Sequence, residues 1–340
     1  MIKIVKANSY IIVFIFLIFS CKKGEKPNIS FYYWNTTFNL DKREQNFIDS
    51  LKVETIYVRF FDVVKENGHI KPNAQINFEE KLYSQTIIPV VFFENDVFVD
   101  IDEKALNLLV QNVSNEIQFI GEKINLKTPN EIQFDCDWTK STKSNYFTFL
   151  EKFKSMKPDV LLSATIRLHQ IKYRQETGIP NVDYGVLMYY STGNPLNFSK
   201  ENAILDNEIA MDYIRNIANY PLHLDIALPM FSWAIVKNEF NETRLISGIK
   251  SVQLLDTSLF KPIEKNYFSV KKSNYLNGLY LYEGQRIKLE TIETKDLLVA
   301  ANNINKYYPK KAKKIIFYNL DGINFDNITT SDLIKISNSL

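Results

Sequence analysis

Eight apolar, β-branched runs, helical patterns between them and one late change of rhythm predict an α/β fold, a (β/α)8 TIM barrel with a small β-rich insertion between strands 7 and 8. The strand runs fall at residues 29–34, 55–63, 86–93, 131–138, 160–168, 182–190, 222–231 and 314–318. Near-continuous apolar strands are buried on both faces, which points to a parallel sheet covered by helices. Helical patterns fall at 41–51, 78–84, 102–124, 144–156, 202–220 and 294–308. The clearest carries Ala105, Leu108, Leu109, Val113, Ile117 and Ile120 at helical spacing. From 238 to 291 short β-like pieces alternate with turn residues, and this is the insertion.

The N-terminus predicts an address. Lys3 and Lys6 precede an apolar run over 10–19, too short for a permanent span, and Ser20 and Cys21 follow. This reads as a signal peptide over 1–20, with Leu17-Ile18-Phe19-Ser20-Cys21 resembling a bacterial lipobox, Cys21 as the lipidated residue, a polar tether to 29 and the barrel over 30–340. Loss of a segment with two lysines and no acid takes the formal charge from +2 to neutral, which argues against a nucleic-acid partner. The chain has two cysteines, and lipidation of Cys21 leaves Cys136 alone, excluding a disulfide framework or a cysteine metal site. His69 and His223 lack ligand spacing, and no phosphate loop or Ser-His-Asp set is present. The expectation is a monomer with no cofactor and no metal, anchored to a membrane by its lipid.

Barrel chemistry gathers at the C-terminal ends of the strands. The fourth run ends Phe134-Asp135-Cys136-Asp137-Trp138-Thr139, and strand alternation gives Asp135, Asp137 and Thr139 one face and the apolar residues the other. Asp135 and Asp137 are therefore the first catalytic candidates, each raising the other's proton affinity. Glu94, ending the third run, is a third candidate for the acid. Candidate substrate-binding residues are Trp34, Arg59, Asp62, Arg167, His169, Gln170, Met188, Tyr190 and Trp233, all near strand ends. Arg167 shares a face with Ser163 and Thr165, where it can neutralise an aspartate or bind an anionic sugar. Arg59 and Asp62 are three apart, so only a bulge lets both face one cleft. Asp225, early in its run, reads as packing, and Trp138 as packed against a helix.

The motif resembles the D-x-x-D-x-D-x-E pattern of the family-18 glycoside hydrolases, which include chitinases and chitinase-like lectins, with Thr139 in place of the acid. Weaker likenesses lie at Leu187-Met188-Tyr189-Tyr190, at Leu228-Pro229-Met230-Phe231-Ser232-Trp233 and around Ile315 to Gly322. The resemblance implies that Asp137 orients a substrate acetamido group and that the aromatic residues form a sugar platform. Threonine cannot protonate a leaving oxygen, and losing general-acid help costs about 10²–10⁴ in rate. The pair of carboxylates near a strand end favours a glycoside hydrolase with a non-standard acid, and the alternative is a catalytically inactive glycan-binding barrel. The chain also resembles lipoproteins of Gram-negative bacteria, which implies a periplasmic or cell-surface location and a glycan or polysaccharide partner.

Overall fold

The structure is a computed structural model and describes residues 26–79, 84–126, 128–199, 201–320 and 328–340. Eight parallel strands close a barrel: β1 (Asn28–Tyr33), β2 (Thr55–Glu66), β3 (Thr86–Phe93), β4 (Glu131–Cys136), β5 (Leu161–Arg167), β6 (Tyr184–Met188), β7 (Leu224–Pro229) and β8 (Lys314–Tyr318). Phe31 of β1 lies opposite Phe317 of β8 and Ile56 of β2, so the ring has no edge. Every strand overlaps the apolar run that predicted it. Cys21 and the apolar run before it lie outside the described residues, as does the end of the 315–322 likeness from Asp321 onward.

The helices form where local signals start them. Helix α1 (Lys42–Ser50) opens with a reciprocal cap, in which Asp41 accepts from Arg43 N at 2.7 Å and Glu44 N at 2.8 Å while the Glu44 carboxylate accepts from Asp41 N at 2.9 Å. Helix α2 (Glu103–Lys123) buries Leu106, Leu109, Val110, Val113, Ile117 and Ile120, whereas Leu108, expected on that face, is exposed. Helix α3 (Lys143–Met156) stacks Tyr146 on Trp138 at 5.3 Å between ring centroids, and the indole donates to Thr177 O, so Trp138 is packed outside the barrel as its face predicted. Two patterns are corrected. Phe78 belongs to a short strand beside Phe38, not a helix, and 80–83 lie outside the described residues. The pattern over 202–220 yields only Asn207–Ile214 and a 3-10 turn at Ile217–Asn219, because Asp206 caps the helix at Glu208 and Ile209.

Between β7 and β8 stands an antiparallel five-stranded sheet, in spatial order Thr243–Ser247, Trp233–Lys237, Arg286–Glu290, Tyr267–Val270 and Phe260–Glu264. It begins at Trp233, five residues before the expected start, and has its own core around Ala234, Val236, Ile287 and Leu289.

The barrel interior departs from the usual branched apolar layers. Glu131, Gln133 and Asp135 of β4 all point inward, since they are two apart, and all are buried. Glu131 accepts from Ser163 Oγ at 2.8 Å and Lys314 Nζ at 3.1 Å, and Gln133 joins the Tyr32 hydroxyl at 2.6 Å to Ser163 at 3.2 Å. This ladder supplies each buried polar group with partners, which is the condition for tolerating it. Asp225 belongs to the opposite, N-terminal end, where Oδ1 accepts from Lys313 N and Lys314 N, in keeping with its packing assignment.

Candidate functional site

At the C-terminal ends of the strands lies a cavity of about 600 Å³, within the range of small-molecule sites. Its floor is charged. The Asp135 carboxylate is buried at the end of β4 and accepts from Thr165 Oγ1 at 2.6 Å and Arg167 Nη2 at 3.2 Å. Arg167, the last residue of β5, also pairs through Nε with Asp137, whose side chain is 56% exposed. One guanidinium thus bridges both aspartates of the motif. Burial pushes the Asp135 pKa up; Arg167 opposes this and Asp137 adds to it, and the net direction is up.

Arg59 and Asp62 both reach the cavity, because the register of β2 against β3 slips between Arg59 and Phe61. Phe60 is the extra residue, its buried ring edge-on to Phe78 outside the barrel. The bulge converts an odd spacing into a shared face, as the sequence required. Arg59 Nη1 lies 3.5 Å from Asp62 Oδ2, while Arg59 Nε and Asp62 Oδ1 are buried with no hydrogen-bond partner among the described residues. Burial raises the Asp62 pKa, Arg59 lowers it, Glu94 and Asp135 raise it, and the net is upward.

That direction fixes a prediction. A carboxyl whose folded pKa lies above its unfolded value of about 3.9 costs stability as pH rises from the unfolded pKa through the folded one. Asp62→Asn is therefore expected to stabilise the protein at pH 7 by about 1 kcal/mol and to change nothing below pH ~3.5. Urea unfolding at the two pH values checks it; a variant less stable at pH 7 contradicts the sign.

The opposite wall is aromatic. Tyr318, ending β8, stacks on Tyr190 at 5.8 Å and 29°, and meets Trp34 at 5.4 Å and Phe231 at 5.6 Å. The Arg59 guanidinium lies 5.6 Å from the Trp34 ring, joining wall to floor. Trp233 extends the wall from the insertion. Its indole N–H donates to Glu290 Oε2 at 2.6 Å, and Glu290, buried and paired with the buried Lys288, also accepts from Ala203 N at 3.1 Å. Lys288 Nζ in turn donates to Glu201 O at 2.6 Å, which fastens the insertion to the loop after β6. Leu245 and Ser247 of the same sheet, with Gly248 just after it, complete the rim.

Of the residues singled out from sequence, the fold brings Asp135, Asp137, Trp34, Arg59, Asp62, Arg167, Tyr190 and Trp233 to this cavity. Four others do not line it. Glu94 is exposed ahead of the 3-10 turn Asn95–Phe98, and His169 is exposed in the helix following Arg167. Gln170 is fully buried, accepting from Arg167 N at 2.8 Å and donating to Trp138 O, so it steadies the arginine. Met188 is buried beneath Tyr190, whose hydroxyl donates to its sulfur at 3.1 Å. Thr139 is a correction: β4 ends at Cys136, alternation stops there, and the Thr139 hydroxyl joins Ser141 and Thr142 at the start of α3, away from the cavity lining. Tyr318 and Phe231 were missed, although an aromatic residue at the end of the eighth run was a readable signal. Lys288 and Glu290 gave none. Among the described residues, no cluster of metal-ligating side chains occurs.

No family model and no curated protein matches the sequence. Solved structures do match the fold. The spore cortex-lytic enzyme SleL of Bacillus cereus superposes with a TM-score of 0.54 at 12% identity, over 93% of this chain and 75% of that one. A chitinase from Chromobacterium violaceum gives 0.54 at 10% identity, over 92% and 99%. Catalytic domain 2 of the Ostrinia furnacalis Group II chitinase, in complex with penta-N-acetylchitooctaose, gives 0.55 at 12% identity, over 93% and 97%. At these identities the likeness is one of architecture, and the chain has the fold of the chitinase-like, family-18 TIM barrels.

Proposed function

We propose that the protein is a glycan-binding barrel whose mouth cavity holds a neutral or N-acylated sugar chain without cutting it. The observation that carries this reading is the cavity's construction, an aromatic wall facing a guanidinium and a carboxylate, Arg59 and Asp62, that both line the cavity 3.5 Å apart. A sugar ring has apolar faces for such a wall, and one hydroxyl both accepts from the guanidinium and donates to the carboxylate. An anionic sugar fits less well, because the two lining guanidinium groups each face a carboxylate already and three carboxylates line the cavity. The oligosaccharide complex of the Ostrinia domain supports the same ligand class. Against turnover stand the position of Thr139 and the pairing of both motif aspartates with Arg167.

Hydrolysis is the second reading, favoured by burial at Asp62, which pushes its pKa upward, the direction a general acid requires. A glycan array run beside product analysis on the same glycans separates the two. The expected result is binding without new reducing ends, weakened roughly tenfold in Asp137→Asn with little loss of stability, since that side chain is half exposed. New reducing ends from the parent, abolished in Asp62→Asn, establish the hydrolase instead; unaltered affinity in Asp137→Asn removes Asp137 from the site.

The same proposal places the barrel on a membrane of the bacterial envelope through a lipid on Cys21, on the strength of the apolar run and Ser20-Cys21. Detergent partitioning checks it: the parent is expected in the detergent phase and Cys21→Ala in water, and equal partitioning of the two refutes it.

A further inference from the structure

The strands are parallel, so the end of the barrel where β1 begins is opposite the mouth cavity. The described chain enters there, at Lys26. A groove of about 1090 Å³ runs across this end, lined by Lys26, His223, Lys310, Lys311 and Lys313 and by no aspartate or glutamate. The last three lysines are exposed. Lys310 donates to the backbone carbonyl of Tyr220, and Lys311 to the Asn305 side chain and to an oxygen of Leu340 at 2.9 Å. His223 Nε2 is buried without a hydrogen-bond partner. The nearest acid, Asp225, lies 3.6 Å from it, buried and accepting from the Lys313 and Lys314 backbone. The adjoining groove at the same end shares Lys26 and adds Lys52, Lys314 and one acid, Glu54, so lysines outnumber carboxylate side chains across the two.

We propose that this basic end docks on an anionic phospholipid surface and turns the mouth cavity away from the membrane. Two observations identify the occupant. One is charge complementarity, since clustered lysines within a Debye length of an anionic leaflet are attracted to it. The other is the tether: the five residues from Cys21 to Lys26 span at most about 18 Å, so an anchored chain holds this end against the bilayer. The proposal takes only the nearness of a membrane from the Cys21 reading and nothing from the glycan reading.

A soluble form beginning at Lys22, which keeps every described residue, tests the surface without the anchor. In sedimentation with phosphatidylcholine vesicles, binding is expected only when phosphatidylglycerol is included, and is expected to fall as salt rises. Lys310→Gln, Lys311→Gln and Lys313→Gln together should weaken it roughly a hundredfold, at about fivefold per lysine. The triple Arg variant keeps charge and should bind like the parent, separating charge from folding. Glutamine at Lys261, Lys271 and Lys272 of the insertion should change nothing. Equal binding to neutral vesicles, no binding to anionic ones, or a Gln variant that binds like the parent overturns the proposal. Displacement by inorganic phosphate at matched ionic strength also overturns it, in favour of a soluble-anion pocket.

Discussion

Replacing Arg167 by leucine is expected to cost about 3–5 kcal/mol of stability at pH 7, because it leaves the buried Asp135 without its cation. The loss has a pH signature. The Asp135 pKa is already raised in the parent, and removing Arg167, which lowers it, raises it further. Protonation then relieves the buried charge, so the deficit should shrink as pH falls and be largest at neutral pH. Urea unfolding of parent and variant at pH 7 and pH 5 measures both effects. A deficit that does not change with pH would mean that Arg167 stabilises by packing its stem, not by charge. Arg167→Lys should recover part of the loss, since an ammonium cannot reproduce the fork that reaches two carboxylates.

The second large effect lies in the insertion. Lys288→Met should also cost about 3–5 kcal/mol, since Glu290 is then a buried carboxylate without its counter-charge. Here the consequence reaches the ligand, because Glu290 holds the Trp233 indole against the cavity. Intrinsic tryptophan fluorescence should shift, and glycan affinity should fall along with stability. The double variant Lys288→Met, Glu290→Gln keeps an acceptor for the indole and removes the stranded charge, so it should regain most of the stability and the affinity. If affinity stays at the parent level in the single variant, Trp233 does not touch the ligand.

Much of the barrel was legible because its strands are buried on both faces and stand out as apolar runs. The floor of the site was legible for a related reason: Asp135 and Arg167 are polar residues at the ends of such runs, and polar residues there have only the mouth to face. Inference failed where its geometric premise lapsed. Thr139 was placed by alternation, but the strand had already ended at Cys136 and the chain was turning into α3. Gln170 and Met188 were placed by nearness to a strand end, yet one turns back under Arg167 and the other lies a layer below Tyr190. Nothing local marks Leu245 and Ser247 as cavity residues or Glu290 as the acceptor behind Trp233, since what brings them there is the pairing of insertion strands distant in sequence, Trp233 opposite both Ser247 and Glu290.

The bulge in β2 bears on how this chain can be aligned. Arg59 pairs with Val90 and Phe61 with Val91, so the strand carries one residue more than its neighbour over the same length. Against any relative whose second strand runs without that extra residue, a gapless alignment matched before Phe60 is off by one beyond it, and would assign the role of Asp62 to Phe61. A one-residue gap at Phe60 restores the frame. Deleting Phe60, which removes a ring packed edge-on to Phe78 and straightens the strand, leaves Arg59 and Asp62 two apart, so both should still face the mouth, whereas inserting a further residue there should turn Asp62 away from it.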